Sequence, residues 1–179
     1  MLKEEISKIL DRAICDSDGA YAEFLNRLKQ DKFTRDEDPR THFCVYFLPF
    51  NPQSKKFFIV HHKKSGLWLA PGGHIDEGES LLQALNRELA EELGLVNHFA
   101  DLPSPFLLTV TPIENPIQPC KLHFDIWCLV PTDGQGFNVD PREFLDTKWL
   151  TIEEARKIVI DPANIKALEL IAGKNKESF

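Results

Sequence analysis

No apolar run in this 179-residue chain approaches the ~20 residues that a helix needs to cross a bilayer. The first residues, "MLKEEISKIL", carry acids on an amphipathic period and do not read as a signal peptide. The protein is therefore expected to be soluble and cytoplasmic, with no membrane partner. Cysteine is scarce. Cys15, Cys44, Cys120 and Cys128 contain no Cys-x-x-Cys pair and read as reduced thiols partly buried in strands. Positive charge is in deficit, 21 Lys and Arg against 28 Asp and Glu, for a formal net charge of −7. That balance argues against a nucleic-acid partner, because gripping a phosphate backbone takes clustered Lys and Arg. It leaves a phosphate substrate open, since a divalent cation can supply positive charge locally. No Gly-Lys-Ser/Thr phosphate loop is present, and His42, His74, His98 and His123 show no zinc spacing such as His-Glu-x-x-His. Internal repeats and low-complexity tracts are also missing.

What is present describes one soluble domain, with 42% apolar and 27% charged residues. Leu2, Ile6, Ile9, Leu10 and Ala13 recur at helical spacing and predict a helix over 2–14. "DSDG" at 16–19 breaks that pattern and offers an N-cap for a second helix through Leu28. "KQDKFTRDEDPR" reads as a polar linker. Then the texture changes. "HFCVYFL", "KFFIVHH", "FLLTVT" and "KLHFDIWCLV" are short β-branched and aromatic runs bounded by turn residues, and read as strands. "SLLQALNRELAEEL", "TIEEARKIV" and, after Pro162, "ANIKALELIAG" read as helices. The order predicts an α/β fold, a mixed sheet with helices on its faces. Residues 1–38 are an N-terminal helical extension to a body over 39–179.

The richest stretch is "GGHIDEGESLLQALNRELAEELGL", residues 72–95. Ser80 and Gln83 fit a capping box, and Gly94 is placed to stop the helix. Leu82, Leu85, Leu89 and Leu93 share the stripe expected to be buried. Glu88, Glu91 and Glu92 fall on a neighbouring stripe, with Arg87 beside Glu91. A solvated face is the ordinary explanation of a Glu-rich helix. Here, however, the acids flank the apolar stripe instead of opposing it. Like charges at these spacings cost roughly 0.2–0.5 kcal/mol per pair when nothing lies between them. A hard cation such as Mg²⁺ or Mn²⁺ reverses that sign. Ahead of the helix, Gly72, Gly73 and Gly78 allow close approach of backbone to a ligand.

Gly73, five residues, Glu79, seven residues, then "RELAEELGL" gives Gly-x5-Glu-x7-Arg-Glu-U-x-Glu-Glu-x-Gly-U, where U is Leu89 or Leu95. This pattern resembles the Nudix box of the Nudix hydrolases, with every fixed position met. Looser similarity runs from "HFCVYFL" to "FLDTKWLTIEEA". The resemblance implies an α/β/α sandwich and hydrolysis of a diphosphate linkage in a small nucleotide, such as a nucleotide sugar, ADP-ribose or a (deoxy)nucleoside triphosphate. It implies Mg²⁺ or Mn²⁺ held by Glu88, Glu91, Glu92 and the Gly72 carbonyl. Glu79 and Arg87 are expected to brace the loop.

The general base is Glu88 or an acid outside the box, with Asp125, Glu114 and Glu143 as candidates. Asp125 shares a strand face with His123 and Trp127 by the period of two. Gly73, His74, Trp68 and His123 are the candidate substrate contacts, Trp68 either stacking on a base or filling the core. The basic cluster His61–Lys64 reads as a solvated hairpin. Neither "SQPWPFPxS" nor a coenzyme A signature accompanies the box. Two other readings stay open: a Nudix domain kept as a non-catalytic sensor or interaction module, and a homodimer whose site spans two chains through the N-terminal helices.

Overall fold

The computed structural model describes residues 2–174. Its elements run α1 (Leu2–Ile9), a 3₁₀ turn (Arg12–Ile14), α2 (Asp18–Gln30), β1 (Thr41–Asn51), β2 (Lys56–His62), β3 (Trp68–Leu69) and β4 (Gly72–His74). They continue with α3 (Leu81–Leu93), β5 (Leu107–Pro112), β6 (Leu122–Pro131), β7 (Phe144–Leu150), α4 (Ile152–Ala155) and α5 (Pro162–Lys174). The seven strands form one mixed sheet in the order β3-β2-β1-β6-β5, with β4 on β1 and β7 on β2. Among the described strands only β1 and β6 pair in parallel, in register from Thr41↔Leu122 to Phe50↔Pro131, and an isolated parallel bridge joins Cys15 to Leu108.

Alternation along β1 and β6 divides the core. Phe43, Val45, Phe124 and Ile126 point to one face and pack with Ile6, Phe24 and Leu28 of α1–α2 and Leu81 and Ala84 of α3. Further along that face, Phe47, Cys128 and Val130 meet Leu85, Leu89 and Leu93 of α3. Leu48, Phe50 and Trp127 point the other way, against Ala163, Ala167, Leu168 and Ile171 of α5. Helices thus cover both faces, giving the expected α/β/α sandwich. No helix among the described residues is long and apolar enough to cross a membrane.

Several boundaries differ from the sequence expectation, for local reasons. α1 stops at Ile9, and Asp11 caps a separate 3₁₀ turn by accepting from the Ala13 amide at 2.9 Å. Ile6, Ile9 and Leu10 pack on the same core as Ile14 of the 3₁₀ turn, whereas Ala13 is exposed. The expected linker is ordered by its own hydrogen bonds: the Glu37 carboxylate accepts from the Phe33 and Thr34 amides at 2.7 and 2.9 Å. Phe33 is buried there against the ring of Phe43. The helix expected over 151–159 closes after four residues behind a Thr151–Glu154 capping box. Pro162 begins α5 instead of preceding it, as suits a residue with fixed φ and no amide hydrogen. On α3, Leu82 is only half-buried, and Leu81 and Ala84 take its place against the sheet.

Phe24 lies edge-on to Phe43 and Phe124, with centroids 5.6 and 5.2 Å away, and is fully buried. Phe24→Ala is expected to destabilise the whole chain by roughly 3–5 kcal/mol. Denaturant unfolding followed by both tryptophan fluorescence and circular dichroism should keep one coincident transition. Two separated transitions would mean that residues 1–38 unfold apart from the body.

Candidate functional site

α3 begins with the expected capping box: Ser80 Oγ accepts from the Gln83 amide at 3.2 Å, and Gln83 returns a bond to the Ser80 amide at 2.8 Å. It ends at Gly94 in the left-handed region, φ 73°. The caps fix the ends of α3, and packing of Leu81, Ala84, Leu85, Leu89 and Leu93 on the sheet sets its rotation, which buries two charged side chains. Glu88 is 8% exposed and Glu92 5%, on the face that also carries Leu85 and Leu89. Glu91, one step round the helix, is exposed.

Arg87 ties the loop to the helix. It donates from Nε and Nη2 to both Glu79 oxygens, at 2.7 and 2.9 Å. Nη1 reaches Glu88 at 2.7 Å and Glu91 at 3.2 Å, and Nη2 also donates to the His74 carbonyl at 2.8 Å. Asp76 stands 3.8 Å from Nη2. One guanidinium thus faces four carboxylates, and Glu92 lies beyond its reach.

Two glycines let the β4 backbone press against these acids. A Cβ on Gly73 would fall 2.3 Å from Glu88 Oε1, and one on Gly72 would fall 2.3 Å from the Val45 carbonyl. The Gly72 amide donates to Glu92 Oε2 at 2.8 Å. Burial, opposed by Arg87, pushes the Glu88 carboxyl up to about 7. Burial and the neighbouring Glu88 push Glu92 well above its usual range. Glu79 moves the other way: its partial burial, which raises it, is outweighed by the Arg87 hydrogen bonds, the Asp76 amide bond and the Arg87 charge together. Crowded, desolvated carboxylate oxygens beside a close-packed backbone fit a hard divalent cation, which supplies the charge that a single Arg87 does not.

The acids open on a cavity of about 1130 Å³. Its far wall is the β6 face carrying His123, Asp125 and Trp127, flanked by Thr109 and Thr111 of β5 and by Cys44 and Tyr46 of β1. Asp125 is 2% exposed. Its Oδ2 accepts from Thr111 and, at 3.0 Å, from Thr109, while Oδ1 has no partner. Trp127 donates to Thr109 at 3.0 Å, which orients that hydroxyl. Burial outweighs the two threonine bonds and pushes Asp125 from its ordinary 3.8 up to about 7.

The structure gathers Gly72, Gly73, His74, Glu88, Glu91, Glu92, Glu114, His123 and Asp125 around this one cavity. Glu114 reaches it from the loop after β5, and Glu143 from the start of β7, paired with Lys64 at 3.6 Å. Trp68 is a correction, because it does not line the cavity. Its chain neighbours Leu67 and Leu69 do, and alternation sends Trp68 away, packed against the core as the second reading had it and stacked on His61 at 4.9 Å beneath the Lys148 ammonium. Sequence reasoning missed Arg35, Arg142 and Asn164, which also line the cavity. Arg35 lay in the supposed linker, with no local pattern to mark it. Lys64 lines the cavity too, from the basic cluster read as a plain hairpin.

The raised Asp125 value carries a sign. A buried acid with a raised folded pKa contributes stability below its unfolded value near 3.8 and loses it as pH rises through about 7. The buried histidines act oppositely: burial lowers His74 and His123 to about 3, so they cost stability below their ordinary 6.5. The measurable quantity is therefore the difference from Asp125→Asn, in EDTA. Relative to wild type, the variant should gain stability between pH 4 and pH 8, by up to about 4 kcal/mol. A difference that is flat with pH would contradict the buried charge.

Comparison with known proteins agrees with this geometry. The NUDIX domain family matches residues 39–171. An m7GpppN-mRNA hydrolase of Xenopus laevis is 31% identical over 150 residues, covering 70% of this chain and 50% of that protein. An RNA pyrophosphohydrolase of Novosphingobium aromaticivorans is 26% identical over 136 residues, covering 65% of this chain and 81% of that one. The chain thus spans about half the length of the Xenopus relative. Among solved structures, the NUDIX domain of Shewanella oneidensis NrtR, complexed with ADP ribose, superimposes with TM-score 0.57 at 19% identity, covering 88% of this chain and 98% of that one. The dihydroneopterin triphosphate pyrophosphohydrolase of E. coli gives TM-score 0.55 at 18% identity, covering 80% and 99%. With the complete box, its buried glutamates and a family match over most of its length, the chain belongs to the Nudix domain family.

Proposed function

We propose that this protein hydrolyses a diphosphate linkage in a small nucleotide, using Mg²⁺ or Mn²⁺ held by Glu88, Glu91, Glu92 and the Gly72 carbonyl. The observation that carries the reading is the burial of Glu88 and Glu92 at a cavity that also holds Asp125. Bound there, the cation would neutralise the diphosphate and make a water more nucleophilic. The chain's own groups do the rest. Glu79 and Arg87 fix the acids. Arg35, Lys64 and Arg142 line the cavity and are suited to meet outlying phosphate oxygens. Asp125 Oδ1, without a protein partner, faces the substrate as hydrogen-bond acceptor or proton acceptor. Glu114 lines the same cavity from the loop after β5. A sensor or interaction module would not need a full set of box acids. One chain supplies each of these groups.

Substrate choice is the open axis. The curated relatives above are named for RNA ends, and the structural neighbours for a pterin triphosphate and ADP ribose. The formal charge of −7 and the bounded cavity support a small nucleotide over a polymer. A panel of ADP-ribose, nucleotide sugars, nucleoside triphosphates, and triphosphorylated and capped RNA should show hydrolysis of a mononucleotide-sized compound first. EDTA should abolish it and Mg²⁺ or Mn²⁺ restore it. Faster cleavage of an RNA end than of every small compound would move the assignment to RNA. Undiminished activity in EDTA would remove the metal from the mechanism.

Glu92→Gln separates catalysis from folding. The Gln side chain retains an oxygen for the Gly72 amide but removes a buried charge. The rate should fall roughly 10²–10⁴-fold. Metal-free stability should hold or rise, and Mg²⁺ should raise the melting temperature of wild type more than that of the variant. An active variant would end the ligand role of Glu92.

A further inference from the structure

The histidines that lack any zinc spacing in sequence meet in space. His42 of β1, His74 of β4 and His123 of β6 are mutual neighbours, with ring centroids 4.6, 4.9 and 5.1 Å apart. Cys120, on the loop entering β6, closes the group: its Sγ lies 3.7 Å from His42 Nε2 and 3.7 Å from His74 Nε2. One ligand atom from each of the four residues lies within 4.8 Å of all the others. Three of the four side chains are buried, and His74 partly so. His123 is 6% exposed, yet neither of its ring nitrogens has a hydrogen-bond partner. Packing alone leaves that imidazole with a buried donor and a buried acceptor unanswered, which is costly.

We propose that His42, His74, Cys120 and His123 form a second metal site, for a borderline-soft ion of the Zn²⁺ type, distinct from the carboxylate site for Mg²⁺ or Mn²⁺. Four protein ligands of nitrogen and sulfur suit tetrahedral Zn²⁺, whereas Mg²⁺ prefers oxygen. With Zn–N near 2.0–2.1 Å and Zn–S near 2.3 Å, the N···S edge of a tetrahedron is about 3.6 Å. Both sulfur–nitrogen distances here are 3.7 Å, so little closure is needed. The surrounding hydrogen bonds also fit. His42 Nδ1 lies 3.0 Å from the Asp38 carbonyl, which holds the proton there and leaves Nε2 free for a metal. Arg35 Nη1 stands 3.4 Å from His74 Nδ1, a contact that favours a proton on Nε2. Metal on His74 Nε2 moves that proton to Nδ1, and Arg35 turns to Asp76, 3.7 Å from its Nη2. Binding displaces the Cys120 thiol proton to solvent, with no redox change.

Four protein ligands leave no open position, so the site is structural. It ties β1, β4 and β6 to the loop that carries Glu114 to the cavity. Its test does not depend on hydrolysis. The full chain, stripped of metal and held in excess Mg²⁺, is titrated with Zn²⁺ against a chromophoric chelator, and in parallel with Co²⁺. One Zn²⁺ per chain is expected, together with a cobalt–thiolate charge-transfer band and the strong visible bands of tetrahedral Co²⁺. Cys120→Ser should lose the thiolate band and weaken Zn²⁺ binding by roughly tenfold or more. His42→Gln should weaken it while keeping the band. Cys15→Ser and Glu91→Gln should change neither. Absence of stoichiometric Zn²⁺ in wild type would overturn the proposal, as would a thiolate band that survives Cys120→Ser. A band lost in Cys44→Ser but kept in Cys120→Ser would also overturn it, since Cys44, His123 and Asp125 form a neighbouring group.

Discussion

Desolvation of Glu88 and Glu92 is the constraint around which the rest of the structure is arranged. Carboxylates at 8% and 5% exposure on a helix face packed with leucines are unfavourable unless something compensates them. Arg87 compensates part. Its fork grips Glu79 at both oxygens and still reaches Glu88, Glu91 and the His74 carbonyl. Glu92 has only the Gly72 amide. The remainder is an electrostatic demand directed into the cavity, one that the proposed divalent cation would answer. Burying these acids costs stability, and the braces around them limit that cost.

The parallel pairing of β1 with β6 gives the cavity its opposite wall. In-register pairing sets His42 beside His123, Cys44 beside Asp125 and Tyr46 beside Trp127. β5 adds Thr111 and Thr109 opposite His123 and Asp125. A single strand alternation thus sends apolar side chains to α1–α3 and a polar row to the cavity. One part of that row, Asp125 with its threonines, faces the acids of α3. Its other end, with His42, His74 and Cys120, gathers nitrogen and sulfur. The proposed hard-oxygen and nitrogen/sulfur sites are thereby kept apart on one sheet, and β4 would serve both, with Gly72 in the first and His74 in the second.

The box was legible because its residues lie on one helix and the loop before it. Helix period, capping and fixed spacing are local properties, so Glu88, Glu91, Glu92, Arg87 and Glu79 follow from the chain order alone. Strand alternation likewise put Asp125, His123 and Trp127 on one face. Trp68 failed because its strand is two residues long, too short to reveal which side faces the cavity. Arg35 was invisible because the segment around it is ordered by Glu37 and by the burial of Phe33, neither of which leaves a periodic pattern.

Sequence by itself determined the four longer-patterned strands β1, β2, β5 and β6, the capped acidic helix, the family and the chemical character of its acids, since each depends on neighbours within a few positions; β3, β4 and β7 were not legible. Tertiary structure alone decided that Glu88 and Glu92 are buried while Glu91 is exposed, because the rotation of α3 is set by the sheet it packs on. It alone decided that the N-terminal helices share the core of the body. It alone brought His42, His74, Cys120 and His123 together, for 78 positions part His42 from Cys120, and His123 lies further still. Strand pairing collapses that separation to a contact, and no spacing rule along a chain can report it.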